Sequence, residues 1–135
     1  MFRFNSRGFT LIELLIVMVL MALSLSIVLP LTVKQVESAK HRSERQLSAL
    51  FIEQMQNSSF FLSRPVKISV NGKSIKAKSK QFEQELTLQY TSFAEKTLSV
   101  SPDGIVDPIS LEAYINGQAW QLVIDDEKAL WSYPD

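Results

Sequence analysis

The chain has no cysteine among its 135 residues. That excludes disulfides, thiol catalysis and cysteine-ligated metals, and it leaves the compartment open. His41 is the single histidine, which makes it a poor candidate for a metal ligand or a catalytic base. The sequence has no Gly-rich phosphate loop, no H-E-x-x-H, no Cys–His pair and no G-x-S-x-G. Serines and carboxylates scattered without a base partner read as ordinary surface. The sequence therefore points away from an enzyme and calls for no cofactor and no metal. Acids are missing from Arg64 to Lys80, where Arg64, Lys67, Lys73, Lys76, Lys78 and Lys80 stand alone. From Glu83 onward the balance reverses, with ten acids against Lys96 and Lys128. A net charge of zero conceals a basic segment followed by an acidic half.

Charge is almost absent from the longest apolar run. Phe9 to Leu31 is 23 residues with Glu13 as its one charge. About 20 apolar residues cross a bilayer as a helix. A secretory signal has an apolar core of about 7–15 residues and a small-residue cleavage site, and neither fits here. The run thus reads as a transmembrane helix. Lys and Arg counts do not orient it: Arg3 and Arg7 precede the run, while Lys34, Lys40, Arg42 and Arg45 follow it. A short leader before a long C-terminal part favours the N-terminus inside. Glu13 is the anomaly, because an ionised carboxylate in hydrocarbon costs several kcal/mol. Either it snorkels to the headgroups or it meets a partner.

"RGFTLIELLIVMVLMALSLSIVLP", residues 7–30, resembles the N-terminal signature of type IV pilins and type II secretion pseudopilins. In that family a short basic leader ends in Gly, followed by Phe, Thr-Leu-Ile-Glu and an apolar helix. The resemblance implies three parts: a prepilin leader at 1–8, a transmembrane and assembly helix at 9–31, and a periplasmic domain at 32–135. It implies that a prepilin peptidase cuts between Gly8 and Phe9 on the cytoplasmic face and methylates the new Phe9 amine. It implies a bacterial inner-membrane protein, single-pass, with the C-terminal domain periplasmic before incorporation into a filament. It implies that Glu13 pairs with the Phe9 amine of a neighbouring subunit. Two buried charges that pair offset much of their desolvation and fix register. The partners implied are other pilins or pseudopilins, the peptidase-methyltransferase and, indirectly, a platform protein and an assembly ATPase. Pro30 removes a helical hydrogen bond to the Ser26 carbonyl and is expected to kink the helix. The Ser24 and Ser26 hydroxyls, or neighbouring helices, are candidates to satisfy what it frees.

After Pro30 no Gly or Pro interrupts until Pro65. Val33, Val36, Leu47, Leu50, Phe51 and Met55 recur at helical spacing and predict a helix to about residue 62 with an apolar stripe that needs cover. "KQVESAKHRSERQ" reads as a solvated face with pairs such as Lys40–Glu44. With the membrane run set aside, a core of about 75 residues is marginal alone. The cover comes from strands. "VKISVNGKSIKA" predicts a hairpin turning on Asn71-Gly72, with Ile68 facing Ile75, Val66 facing Ala77 and Lys67 facing Lys76. "FEQELTLQY" alternates, with Phe82, Leu86, Leu88 and Tyr90 on one face. "ISLEAYINGQAWQLVI" predicts a hairpin on Asn116-Gly117, pairing Ala113 with Trp120, Leu111 with Leu122 and Ile109 with Ile124, all on one side. "SPDG" at 101–104 is a turn, and "ALWSY" adds a last strand. The fold class is α+β: a long helix on a small antiparallel sheet, the pilin fold.

"SPDGIVDPISLEAYINGQAWQLVID" is similar to the end of minor pseudopilin H and of the FimT/FimU minor pilins. The chain lacks the C-terminal disulfide of major pilins and the calcium loop of major pseudopilins. Asp103 and Asp107 read as turn residues, and Asp125, Asp126 and Glu127 as a solvated turn. The expected function is a minor structural subunit. Two alternatives stand beside it: a DNA-binding minor pilin, motivated by the Arg64–Lys80 segment, and a major filament subunit. No aromatic lies between Arg64 and Lys80. Without Arg3 and Arg7 the chain has 12 Lys and Arg against 14 acids. Both points argue against nucleic acid. The basic face formed by Lys67, Lys76, Lys78 and Lys80 has two candidate partners, Glu83 and Glu85 on the next strand and the acidic half of a neighbouring subunit; docking on the neighbour is expected, with a guarded sheet edge as its rival.

Overall fold

A computed structural model describes residues 8–125 and 128–133. Asp126 and Glu127, two of the three residues of the expected solvated turn, and most of the leader lie outside them. The chain forms two compact units, one up to Ser38 and one from Ala39 onward. Helix α1, Leu11–Leu62, contributes to both.

In the first unit α1 is apolar: an 18-residue stretch of the helix near the N-terminus has a mean hydropathy of 2.8, and none of it is buried. Three hydroxyls in or beside the span bond to their own helix: Ser24 Oγ donates to the Leu20 carbonyl (2.9 Å), Ser26 Oγ to Leu23 (2.8 Å) and Thr32 Oγ1 to Val28 (3.0 Å). A helix in hydrocarbon has to satisfy its polar groups internally, and these do so. Neither serine reaches the Ser26 carbonyl that Pro30 frees, contrary to expectation. Pro30 stands inside α1 without ending it.

In the second unit residues 39–62 of α1 pack on an antiparallel sheet. The strands are β1 Val66–Gly72, β2 Ser74–Lys78, β3 Glu83–Thr87, β4 Thr91–Val100, β5 Val106–Asp107, β6 Ser110–Ile115, β7 Gln118–Ile124 and β8 Ala129–Ser132. Their order is β3-β2-β1-β4-β6-β7-β8, with β5 pairing β4 off this path. The expected α+β architecture is therefore the observed one. The core gathers Ile52 and Met55 from the helix with Val66, Ile68, Val70, Ile75, Leu98, Val100, Leu111 and Leu122 from the strands.

The buried helix face keeps Met55 of the expected stripe, with Phe51 packed at its edge, but is otherwise different. Leu47 and Leu50 point outward and Phe51 is half-buried, while Ser48, Ala49, Ile52, Met55, Gln56 and Ser59 face the sheet. Small residues let the helix approach closely, and polar ones pin it. Glu53 Oε1 accepts from the Ala129 amide (2.9 Å), and the Trp131 indole donates to the Arg45 carbonyl (2.8 Å). Gln56 Nε2 donates to the Gly104 carbonyl at 3.3 Å and lies 3.5 Å from that of Asp125. Ser59 Oγ lies 2.5 Å from the Arg64 carbonyl and 2.8 Å from that of Ser101. Glu44 is the strongest pin. It does not pair with Lys40 as expected. Its carboxylate accepts the Tyr90 and Thr91 amides at 2.9 Å each and the Gln89 amide as well. Burial works to raise its pKa, but these three donors outweigh burial and hold the carboxyl below its ordinary value. The helix ends in a Schellman cap: Ser63 takes φ 48°, its amide bonds Phe60 O, and Arg64 N bonds Ser59 O, each at 3.1 Å.

The two Asn-Gly hairpins differ. β6 and β7 pair as expected, Leu111 with Leu122 and Ala113 with Trp120. Asn116 (φ 50°) and Gly117 (φ 75°) both take the left-handed conformation that a type I′ turn requires. Ile109 departs: its carbonyl accepts from Ile124 N at 2.6 Å, but its side chain is exposed. β1 and β2 pair two residues away from expectation, Ile68 with Ala77, Val70 with Ile75 and Lys67 with Lys78. Gly72 (φ 57°) occupies the first central position and Lys73 the second, the type II′ placement of glycine. A shift by two keeps every side chain on its face, because strand side chains alternate with period two.

Candidate functional site

The predicted site residues fall into two groups. Gly8, Phe9 and Thr10 precede α1 and are outside regular structure. The Gly8–Phe9 bond thus sits in backbone that a peptidase can bind without first unwinding a helix. A Cβ added at Gly8 meets no heavy atom within 4 Å, and its φ is not left-handed. Among the described residues nothing demands glycine there. Phe9 is exposed.

Thr10 closes the helix start, a role the sequence reading missed. Its Oγ1 and carbonyl accept from Glu13 N at 3.3 and 3.1 Å, and its carbonyl also accepts from Leu14 N at 3.2 Å. Thr-Leu-Ile-Glu has the spacing of a capping box, with Thr10 as N-cap and Glu13 at the third helical position. That signal was available in the sequence. Thr10 fixes where the helix begins, and hence how far the Glu13 carboxylate stands from Phe9: one helical turn. Glu13 also lies in the first turn, where the partial positive charge of the helix end favours a carboxylate. Among the described residues no hydrogen-bond or ion partner meets the Glu13 side chain.

Lys67 on β1 and Lys76 and Lys78 on β2 take the exposed positions that alternate with the buried ones, while Lys80 lies in the bend between β2 and β3. Lys76 Nζ lies 3.6 Å from Glu85 Oε1 and Lys78 Nζ lies 4.0 Å from Glu83 Oε2. Both glutamates come from β3, which pairs Lys76 with Glu85 and Lys78 with Glu83 in register. The Ser74 hydroxyl donates to Glu85 Oε1 at 2.6 Å. That bond is the largest influence and lowers the Glu85 pKa; desolvation opposes it, and the charge and hydrogen bond of Lys76 lower it further. Lys76 faces Ser69 on β1, and Lys67 faces Lys78 rather than Lys76, which corrects the expected like-charge pair. Two of the six positive charges between Arg64 and Lys80 are thus already set against carboxylates of the same chain. His41 is held by structure: its Nε2 lies 3.1 Å from Asn116 Nδ2 and its ring meets Tyr90 edge-on at 4.9 Å.

A family model, the prokaryotic N-terminal methylation motif, matches residues 3–29. The match covers the expected cleavage border at Gly8–Phe9, Thr10, Glu13 and nearly all of the apolar run. It supports a pilin-like filament subunit in general, anchored in the membrane by its N-terminal helix. No curated protein and no solved structure matches the chain.

Proposed function

We propose that the chain is a minor structural subunit of an inner-membrane-anchored filament of the type IV pilus or type II secretion kind. The observation that carries this is a methylation motif whose cleavage border lies just outside a capped apolar helix, with that helix continuing into a helix-on-sheet domain. Hydrolysis of the Gly8–Phe9 amide leaves a carboxylate on Gly8 and an amine on Phe9, and that nitrogen is the methyl acceptor. The N-terminus lies in the cytoplasm and the domain in the periplasm. Assembly draws the helix from lipid into a helix bundle, where the Phe9 amine of one subunit meets Glu13 of another. The role is structural, and the peptidase, platform and ATPase act upon the chain.

Mass spectrometry of the membrane-extracted protein tests this. The expected N-terminus is N-methylated Phe9, and a bulky residue in place of Gly8 should leave the leader attached. An N-terminus at Met1 in cells with active peptidase refutes the reading. A minor role predicts low abundance in sheared filaments.

A further inference from the structure

The sheet ends on one side at β3, which pairs β2 and no other strand among the described residues. Two backbone bonds fix the phase of that pairing: Ser79 N donates to Phe82 O at 2.9 Å and Leu88 N to Lys73 O at 2.7 Å. Bonded pairs alternate with unbonded ones along an antiparallel ladder. Gln84 and Leu86 therefore turn their amides and carbonyls toward β2, while Glu83, Glu85 and Thr87 turn theirs to the open side. Among the described residues nothing bonds those three amides. They recur roughly every 7 Å along the strand, which is the row of donors and acceptors that an added strand needs. The opposite edge is not open in this way, because Glu53 of α1 takes the Ala129 amide of β8 at 2.9 Å.

The side chains of β3 define what such a strand carries. Glu83 and Glu85 stand on the outer face of the sheet, beside Lys78 and Lys76 of β2. Those contacts engage one carboxylate oxygen of each, Oε2 of Glu83 and Oε1 of Glu85, so each acid keeps a second oxygen for a cation on the open side. Leu86 stands on the other face, beside the fully buried Ile75. Together with Phe82 it packs on the core but is only half-buried. A strand laid along β3 thus meets acids on one face and apolar surface on the other. A second copy of β3 does not suit: antiparallel self-pairing centred on the strand sets Glu85 directly against Glu85, and a slip toward its start sets Glu83 against Glu85. Like charges directly opposite each other are destabilising.

We infer that β3 accepts an extended segment of a different protein as a further antiparallel strand, with Lys or Arg opposite Glu83 and Glu85 and an apolar side chain opposite Leu86. The added strand continues the alternation of charge that already runs from the lysines of β2 to the glutamates of β3. Backbone bonds to Glu83, Glu85 and Thr87 supply the attraction, and the alternating side chains select the segment. The acids that turn away a second β3 are the same ones that favour a basic strand, so the edge is closed to its own kind and open to one other. The inference stands on the sheet edge alone and does not rest on the filament reading.

The test mixes the full chain, purified in detergent, with a short synthetic peptide that alternates lysine and valine, and follows hydrogen exchange at single amides. Saturating peptide should slow exchange at Glu83, Glu85 and Thr87 about tenfold and leave Gln84 and Leu86, already bonded to β2, unchanged. Glu85→Pro removes an outward amide without touching the β2 ladder, which edge positions tolerate, and should weaken peptide binding about tenfold. Should that variant fail to fold, Glu83→Gln with Glu85→Gln carries the test: the chain should lose its preference for the lysine–valine peptide over a glutamate–valine one. An unchanged preference overturns the inference. So does equal protection by a peptide of the same composition with its lysines grouped, or protection by neither, which leaves β3 a charged edge that only repels strands. Protection of the same amides without peptide, rising with protein concentration, assigns the edge to a second copy and overturns it as well.

Discussion

Replacing Glu44 by Ala removes the acceptor of three backbone amides at once. The Tyr90 and Thr91 amides are part-buried, while the Gln89 amide is exposed and turns to water. Each part-buried donor left unpaired costs about 1–3 kcal/mol, and solvent near the carboxylate keeps both at the low end. The expected loss is thus about 2–3 kcal/mol, or a fall of about 2 M in the urea midpoint at a slope of about 1–1.5 kcal/mol/M. Tryptophan fluorescence of the full chain in detergent reads it, since Trp120 and Trp131 belong to the same folded unit. Glu44→Gln should lose less, because one oxygen remains. Lys40→Ala should be near neutral. The same carboxylate sets an acid limit. Its folded-state pKa is lowered, so its stabilisation is complete above the ordinary glutamate range and is lost as pH falls through the lower folded value. The alanine variant should show a smaller acid loss than the parent. A midpoint unchanged in Glu44→Ala, or acid sensitivity equal in both proteins, would refute the reasoning.

Ile52 is fully buried beneath the sheet, so Ile52→Ala should cost about 2–5 kcal/mol in the same unfolding experiment. Gly117→Ala meets no clash but keeps φ at 75°. It should cost about 1–2 kcal/mol from backbone conformation alone, whereas Gly8→Ala should leave stability unchanged. Glu13→Ala should insert and be cleaved normally, as a more apolar span does, yet lose in competition with the parent for places in sheared filaments. Equal incorporation would favour a glutamate that merely snorkels.

Long-range patterns were the legible part of this sequence. Twenty-three residues with one charge stand out as the apolar span of α1, and the Gly8–Phe9 border with Glu13 beyond it lies inside the matched methylation motif. The helix end near residue 62 follows from Pro65 and the strands behind it. Local geometry was legible only where it leaves one solution. Asn116-Gly117 supplies two left-handed residues in succession, and the register of β6 and β7 follows. Asn71-Gly72 is the same dipeptide, but the turn takes glycine first and slips the pairing by two. β4 went unread although it is central and the longest strand. Its partner β1 shows a register shift between Val70 and Gly72, and burial changes parity along it: Thr91 and Phe93, then Leu98 and Val100. A bulge inserts one residue and flips the alternation that identifies a strand. The helix face was misjudged for a different reason. Leu47 and Leu50 have the apolarity of a core, but Gln56 and Ser59 have hydrogen bonds waiting on the sheet side, and Ser48, bonded to the Arg45 carbonyl of its own helix, is small enough to lie beneath the strands.

Two glutamates of one helix meet opposite circumstances. Glu44 lies where loop amides converge, and its charge is fully used within the chain. Glu13 lies in the first turn of an apolar helix, aided by the helix end but met by no side chain among the described residues. Water or headgroups can serve it while the helix is in the membrane. In a bundle of helices they cannot, and a buried charge without a partner is strongly destabilising, by about 3–5 kcal/mol. On the proposed reading, cutting the Gly8–Phe9 bond makes a cation one turn from Glu13. The carboxylate would then penalise bundling before cleavage and favour it afterwards. An acid one turn past the cut would tie assembly to processing, because a subunit that retains its leader keeps Glu13 but has no Phe9 amine to offer its neighbour.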